Sequence, residues 1–323
     1  MLPICYFFRQ ITGRYLKYLI TSGLLSLIGA PLLQADIRVQ DDTGTFLQLS
    51  SPANRVISLA PSVTELIFSA GAGNKLVGVV TFSNYPEAAT QLPVIGSYNH
   101  FDLEKILALK PDLVIGWKSG NDQKAIHHLK ALGIPVYLTE TRFLEQIPET
   151  VKRLGQLMNT RTIADQAALQ FNNRLAALKN TYQQQQPVRV FYQVWNRPLI
   201  TINQQNLISQ VIGLCGGQNV FAELDSIAPR IDIEAVLAAN PDAIIASGMD
   251  KRRPEWLDEW RRWPSLKAVK NNQLHFIPPD HIQRQTLRVL TGAEQMCQQL
   301  ATTRQHLSDM SGNPISDTAE ENR

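Results

Sequence analysis

The stretch Phe101-Asp-Leu-Glu-Lys-Ile-Leu-Ala-Leu-Lys-Pro-Asp-Leu-Val-Ile-Gly116 returns 130 positions later as Ile231-Asp-Ile-Glu-Ala-Val-Leu-Ala-Ala-Asn-Pro-Asp-Ala-Ile-Ile-Ala246. Asp102 corresponds to Asp232, Glu104 to Glu234, Pro111 to Pro241 and Asp112 to Asp242. Each copy reads as one physical unit. The first Asp is a helix N-cap whose carboxylate accepts a free backbone N–H, and the Glu stands in the first turn, where the helix dipole favours negative charge. Apolar residues follow at helical spacing, Leu103, Ile106 and Leu107 in one copy, Ile233, Val236 and Leu237 in the other. Pro stops the helix and a short apolar run opens a buried strand. Two copies at this separation predict two similar lobes, each exposing a first-turn glutamate.

Around both copies, β-like and α-like segments alternate. Val56–Ala60, Lys75–Val80, Asp112–Trp117 and Ile134–Leu138 read as strands of a first lobe, and Arg189–Trp195 and Gln273–Ile277 as strands of a second. Such alternation predicts an α/β fold, with mainly parallel sheets covered by helices on both faces. Between the lobes the rhythm breaks. From Leu144 to about Gln184 only helical periodicity remains, and its second piece, Thr162–Tyr182, is long enough for a rigid strut of roughly 30 Å. The expected organisation is a targeting segment over 1–35, an α/β lobe over 36–143, a helical linker over 144–186, a second α/β lobe over 187–307 and a disordered tail over 308–323.

The targeting segment rests on Arg9, Arg14 and Lys17 ahead of an apolar stretch, Tyr18–Leu33, with Ala35 as a small residue suited to cleavage. An uncleaved membrane anchor is the alternative. Removing the segment takes three basic residues and no acidic ones, so the formal charge falls from +3 to 3 − 3 = 0. The basic balance belongs to the leader and points to no nucleic-acid partner. Cys215 and Cys297 survive cleavage, and an isolated pair in an oxidising compartment is expected to be bridged, with two buried thiols as the alternative.

No catalytic constellation, phosphate loop or metal motif is present. What remains is a set of aromatic and polar residues at strand ends, Phe82, Tyr98, Trp117, Trp195 and the run Pro278–Arg284. Loops beyond the carboxyl ends of strands line the crevice of open α/β sheets, and aromatic faces there suit a large, flat, partly apolar ligand. Trp256, Trp260 and Trp263 share a helical face and read as core.

The segments Arg55-Val-Ile-Ser-Leu-Ala-Pro-Ser-Val-Thr-Glu65, Ser83-Asn-Tyr-Pro86, both repeat units and Leu214-Cys-Gly-Gly-Gln-Asn-Val-Phe221 carry a family likeness. The chain resembles the extracytoplasmic solute-binding proteins of ABC importers, in the class whose two lobes are joined by one rigid helix. That resemblance implies a periplasmic monomer that binds cobalamin or a related corrinoid without catalysis and hands it to a membrane permease. It also implies roles for residues. Phe82, Tyr98 and Trp117 would pack around the ligand and Asp280 and Arg284 would meet its polar edge. Glu104 and Glu234 would face basic residues of the permease, and Cys215 and Cys297 fall at the positions of the family's disulfide. Ala228 and Gln283 depart from the corrinoid pattern, so haem or a ferric siderophore stands as the alternative cargo, and an exported α/β enzyme as the alternative of another class.

Overall fold

A computed structural model of the protein describes residues 36–249 and 252–311. The targeting segment and the tail beyond 311 lie outside the described residues. Two four-stranded sheets, parallel throughout, form the centres of two lobes. In space the first runs Leu76–Gly78, Val56–Ser58, Leu113–Trp117, Val136–Thr139, and the second Gly217–Asn219, Val188–Gln193, Ala243–Ala246, Leu274–Phe276. Both therefore place their strands in the order second, first, third, fourth. The repeated stretch leads into the third strand of each.

The repeat is deeper than the sequence reading showed. Asp102 and Asp232 cap their helices by accepting the Lys105 and Ala235 N–H groups at 3.1 and 2.8 Å. After each helix, Lys110 (φ 46°) and Asn240 (φ 42°) turn the chain through the left-handed region before proline. Asp112 then accepts from the Arg55 N–H at 2.9 Å, and Asp242 from the Arg189 N–H at 3.0 Å. The same two arginines reach back to the helix ends, Arg55 to the Lys110 carbonyl at 3.1 Å and Arg189 to the Ala239 carbonyl at 2.7 Å. In each lobe an Asp–Arg pair thus pins the helix-to-strand joint to the neighbouring first strand and satisfies carbonyls that the helix leaves open.

Between the sheets lie two antiparallel-connected helices, Gln146–Leu157 and Arg161–Tyr182. They meet closely at Gly155, where an added Cβ would stand 2.4 Å from the Ala164 methyl. One apolar core runs from the first sheet through this pair into the second lobe and includes Leu66, Leu154, Phe171, Leu178, Ile212 and Met296. Each lobe also keeps a core of its own on the opposite sheet face.

Three features differ from the sequence expectation. A hairpin, Ile37–Gln40 with Phe46–Leu49, covers the outer strand of the first sheet, where the Asp42 N–H donates to the Leu138 carbonyl at 3.0 Å. It closes an edge that would otherwise be free to pair. The Trp256–Trp263 region is a 3₁₀ helix, Glu255–Arg262, with Trp260 buried and Trp256 and Trp263 half-buried. The last helix, Val289–Ser311, runs past Thr302 into the segment expected to be a disordered tail. Its polar residues are buried because they are partnered: Thr303 donates to Gln273 at 2.8 Å, and Arg304 to the carbonyls of Gln186 and Cys215.

Cys215 and Cys297 are joined, with Sγ–Sγ at 2.04 Å and both residues fully buried. The bridge ties the helix Leu207–Leu214 to the last helix.

Candidate functional site

In a parallel sheet of order 2-1-3-4 the connections leave in opposite directions on either side of the first strand, and the carboxyl ends open into a crevice there. The principal cleft occupies this position. A cavity of about 650 Å³ draws on both lobes, with Phe82, Tyr98 and Trp117 from the first and Asp280, Gln283 and Arg284 from the second. All five residues expected to meet a ligand are thus brought together, although 202 positions separate Phe82 from Arg284. Met249, 79% exposed, completes the rim.

Local chemistry sets each aromatic. Trp117 ends its strand, and its ring lies across Gly120, where an added Cβ would come within 1.8 Å of it. Asn121, buried just beyond, accepts from the Trp117 N–H at 2.6 Å and donates to the carbonyls of Tyr98 and Leu59 at 2.6 and 2.9 Å. One amide therefore fixes both ring-bearing segments. The Tyr98 and Trp117 rings stand 6.0 Å apart at 42°, leaving faces free to meet a flat ligand. Phe82 is 75% exposed and has φ 64°, a conformation that costs a bulky residue on the order of 1–3 kcal/mol.

The polar side is more committed than the sequence suggested. Arg284 pairs with Asp280 at 2.9 Å and with Glu65 of the opposite lobe at 2.7 Å. Glu65, which the sequence reading did not single out as a site residue, is 2% exposed and also pairs with Arg288 at 2.6 Å. The Arg288 guanidinium lies over the Tyr85 ring at 3.9 Å.

Trp195 stands apart from this cavity. It lines an adjacent one of about 360 Å³ that shares Met249. Glu104 and Glu234 are exposed in the first turns of their helices. A helix returning between parallel strands runs antiparallel to them, so both first turns lie at the end of the sheet on which the cleft opens. Glu234 also lines a cavity of about 430 Å³ with Trp256, Trp260 and Trp263. Among the described residues no group of three or more His, Cys, Asp or Glu could hold a metal ion, and no helix is long and apolar enough to cross a membrane.

A family profile described as periplasmic binding protein matches residues 56–281. A vitamin B12-binding protein of Vibrio campbellii is 37% identical over 256 residues, spanning 79% of this chain and 92% of that protein. One from Yersinia pestis is 37% identical over 250 residues, spanning 77% of this chain and 87% of that protein. Among solved structures, the periplasmic vitamin B12 binding protein BtuF of Vibrio cholerae superposes with a TM-score of 0.72 at 37% identity, covering 78% of this chain and 98% of that one. The periplasmic haem-binding protein HutB of the same organism gives 0.68 at 22% identity, covering 76% and 98%, a likeness of fold alone.

Proposed function

The chain belongs to the periplasmic binding protein family, and we propose that within it this protein captures cobalamin or a related corrinoid between its two lobes and delivers it to the permease of an ABC importer. In this reading it works outside the cytoplasmic membrane, as a monomer, and binding and release are its whole chemistry. The observation that carries the reading is the cleft itself, with three aromatic side chains on one wall and amide and carboxylate groups on the other. A flat macrocycle with polar groups around its rim matches that division. The 37% identity to proteins named for vitamin B12 supports the same ligand.

Calorimetry of the mature protein against cyanocobalamin, haem and a panel of ferric siderophores tests it. Cyanocobalamin should bind tightest, and Trp117→Ala should weaken it by roughly tenfold to a hundredfold, the worth of burying one large apolar side chain. Unchanged affinity in folded Trp117→Ala protein would place the ligand elsewhere. Haem is the second reading. It is favoured by Tyr98 and Met249, both exposed in the cleft and of types that ligate haem iron. Purified protein that carries a haem absorption band and ignores cyanocobalamin would decide for it.

The lobes should move little when the cleft fills. A core continuous through the helix Arg161–Tyr182 resists the bending that flexible crossovers would permit. Solution scattering with and without cyanocobalamin should give nearly the same radius of gyration, and a large contraction would refute the strut.

A further inference from the structure

Glu65 is buried in the first lobe, on the helix Pro61–Ser69, yet among the described residues all four hydrogen bonds to its carboxylate come from one short segment of the second lobe. Its Oε1 accepts from Arg284 Nη1 at 2.7 Å and Arg288 Nη2 at 2.6 Å, and its Oε2 from Arg288 Nε at 2.9 Å and Thr286 Oγ1 at 3.0 Å. Arg288 thus grips it in the two-pronged manner that fixes orientation as well as distance. Arg284 Nη1 donates a second time, to Asn84 Oδ1 at 3.0 Å. Its Nη2 reaches the Phe82 carbonyl at 3.2 Å and Asp280 Oδ1 at 2.9 Å. Each terminal nitrogen of Arg284 therefore has two acceptors for its two protons, which leaves its Nε–H as the one donor of five not taken up in these contacts.

What Arg284 does hold is the loop that carries Phe82. A bulky residue stays in the left-handed region only where its surroundings over-determine it. Here the restraint crosses the cleft, from Glu65 through Arg284 to the Phe82 carbonyl and the Asn84 side chain. We propose that Glu65 is a positioning residue for ligand binding: through Arg284 it sets the Phe82 ring where the flat face of the ligand is received. Four of the five donors of Arg284 accordingly serve the cleft as a brace for Phe82. This rests on the corrinoid reading only for the choice of probe ligand.

The test combines two readouts on Glu65→Gln. Without ligand, amide hydrogen exchange across residues 81–85 should quicken at least tenfold while the central strands exchange at the wild-type rate. A general loss of stability would quicken both. With cyanocobalamin, Glu65→Gln should weaken binding about tenfold or more when Phe82 is present and less than twofold in a Phe82→Ala background, because the two act as one unit. An equal loss in both backgrounds, or a loop that exchanges at the wild-type rate, overturns the proposal. Removing a buried carboxylate can prevent folding. In that event Arg288→Lys, which keeps the charge and loses the two-pronged grip, replaces it and should show the same pattern at smaller size. Absence of cyanocobalamin binding in the wild type would overturn the corrinoid reading, and the exchange measurement would still decide the role of Glu65.

Discussion

Glu104→Lys combined with Glu234→Lys is expected to abolish delivery of ligand while leaving its capture intact. Both side chains are exposed, and both stand in the first turns of equivalent helices at the cleft end of their sheets. If their work ended with their own helices, each reversal would cost a fraction of a kcal/mol of stability and nothing else. As anchors for basic residues of a permease they predict a different pattern. Reversing a charge at such a contact replaces attraction by repulsion and costs several kcal/mol, so each single variant should lose on the order of tenfold or more in permease affinity and the double on the order of a hundredfold or more. Melting temperature and cyanocobalamin affinity should stay at wild-type values, and added salt should weaken the wild-type complex. Binding to the permease in lipid discs, paired with uptake by cells, measures both sides. Normal uptake by the double variant would leave helix-start chemistry as the whole role of the two glutamates.

Loss of the Cys215–Cys297 bridge should have the largest effect on stability. The cysteines are 82 positions apart, and closing a loop of that size restricts the unfolded chain by about 4 kcal/mol in the chain-entropy account. Cys215→Ala with Cys297→Ala should therefore lower the melting temperature by on the order of 10 °C. Neither residue lines the cleft, so the folded variant should bind ligand with wild-type affinity. Alkylation of the non-reduced, exported protein followed by mass spectrometry should find neither cysteine modified. Two modified cysteines would show that the bridge does not form in the cell.

How much of this could be read in advance depended on how local the chemistry is. Asp102 and Asp232 cap helices three residues away, and Pro111 and Pro241 stop them, so the twofold architecture was legible in a single line of sequence. Phe82, Tyr98, Trp117 and the run Pro278–Arg284 stood out at strand ends, and the family likeness singled out Asp280 and Arg284 within that run. Glu65 was not legible as a site residue. In Pro61-Ser-Val-Thr-Glu65 it looks like an ordinary acid on a helix, and its partners lie 219 to 223 positions downstream. The left-handed backbone of Phe82 and the bridging amide of Asn121 leave no periodic trace either. Polarity misled at the end of the chain, where the residues from 308 read as a disordered tail although the last helix runs on to Ser311.

The long reach of Glu65 also orders the chain in time. A polypeptide synthesised or threaded across a membrane from its N-terminus presents the four strands of the first sheet, all within 56–139, well before the last strand of the second emerges. The first lobe can fold as a unit at that stage. Arg284 and Arg288 arrive only just ahead of the final helix, itself part of the core shared by both lobes through Leu290, Met296 and Leu300. The brace that aligns the aromatic wall is thus among the last contacts available to form. A nascent or truncated chain would present an unfinished crevice, and competence to take up cargo becomes a property of the finished molecule.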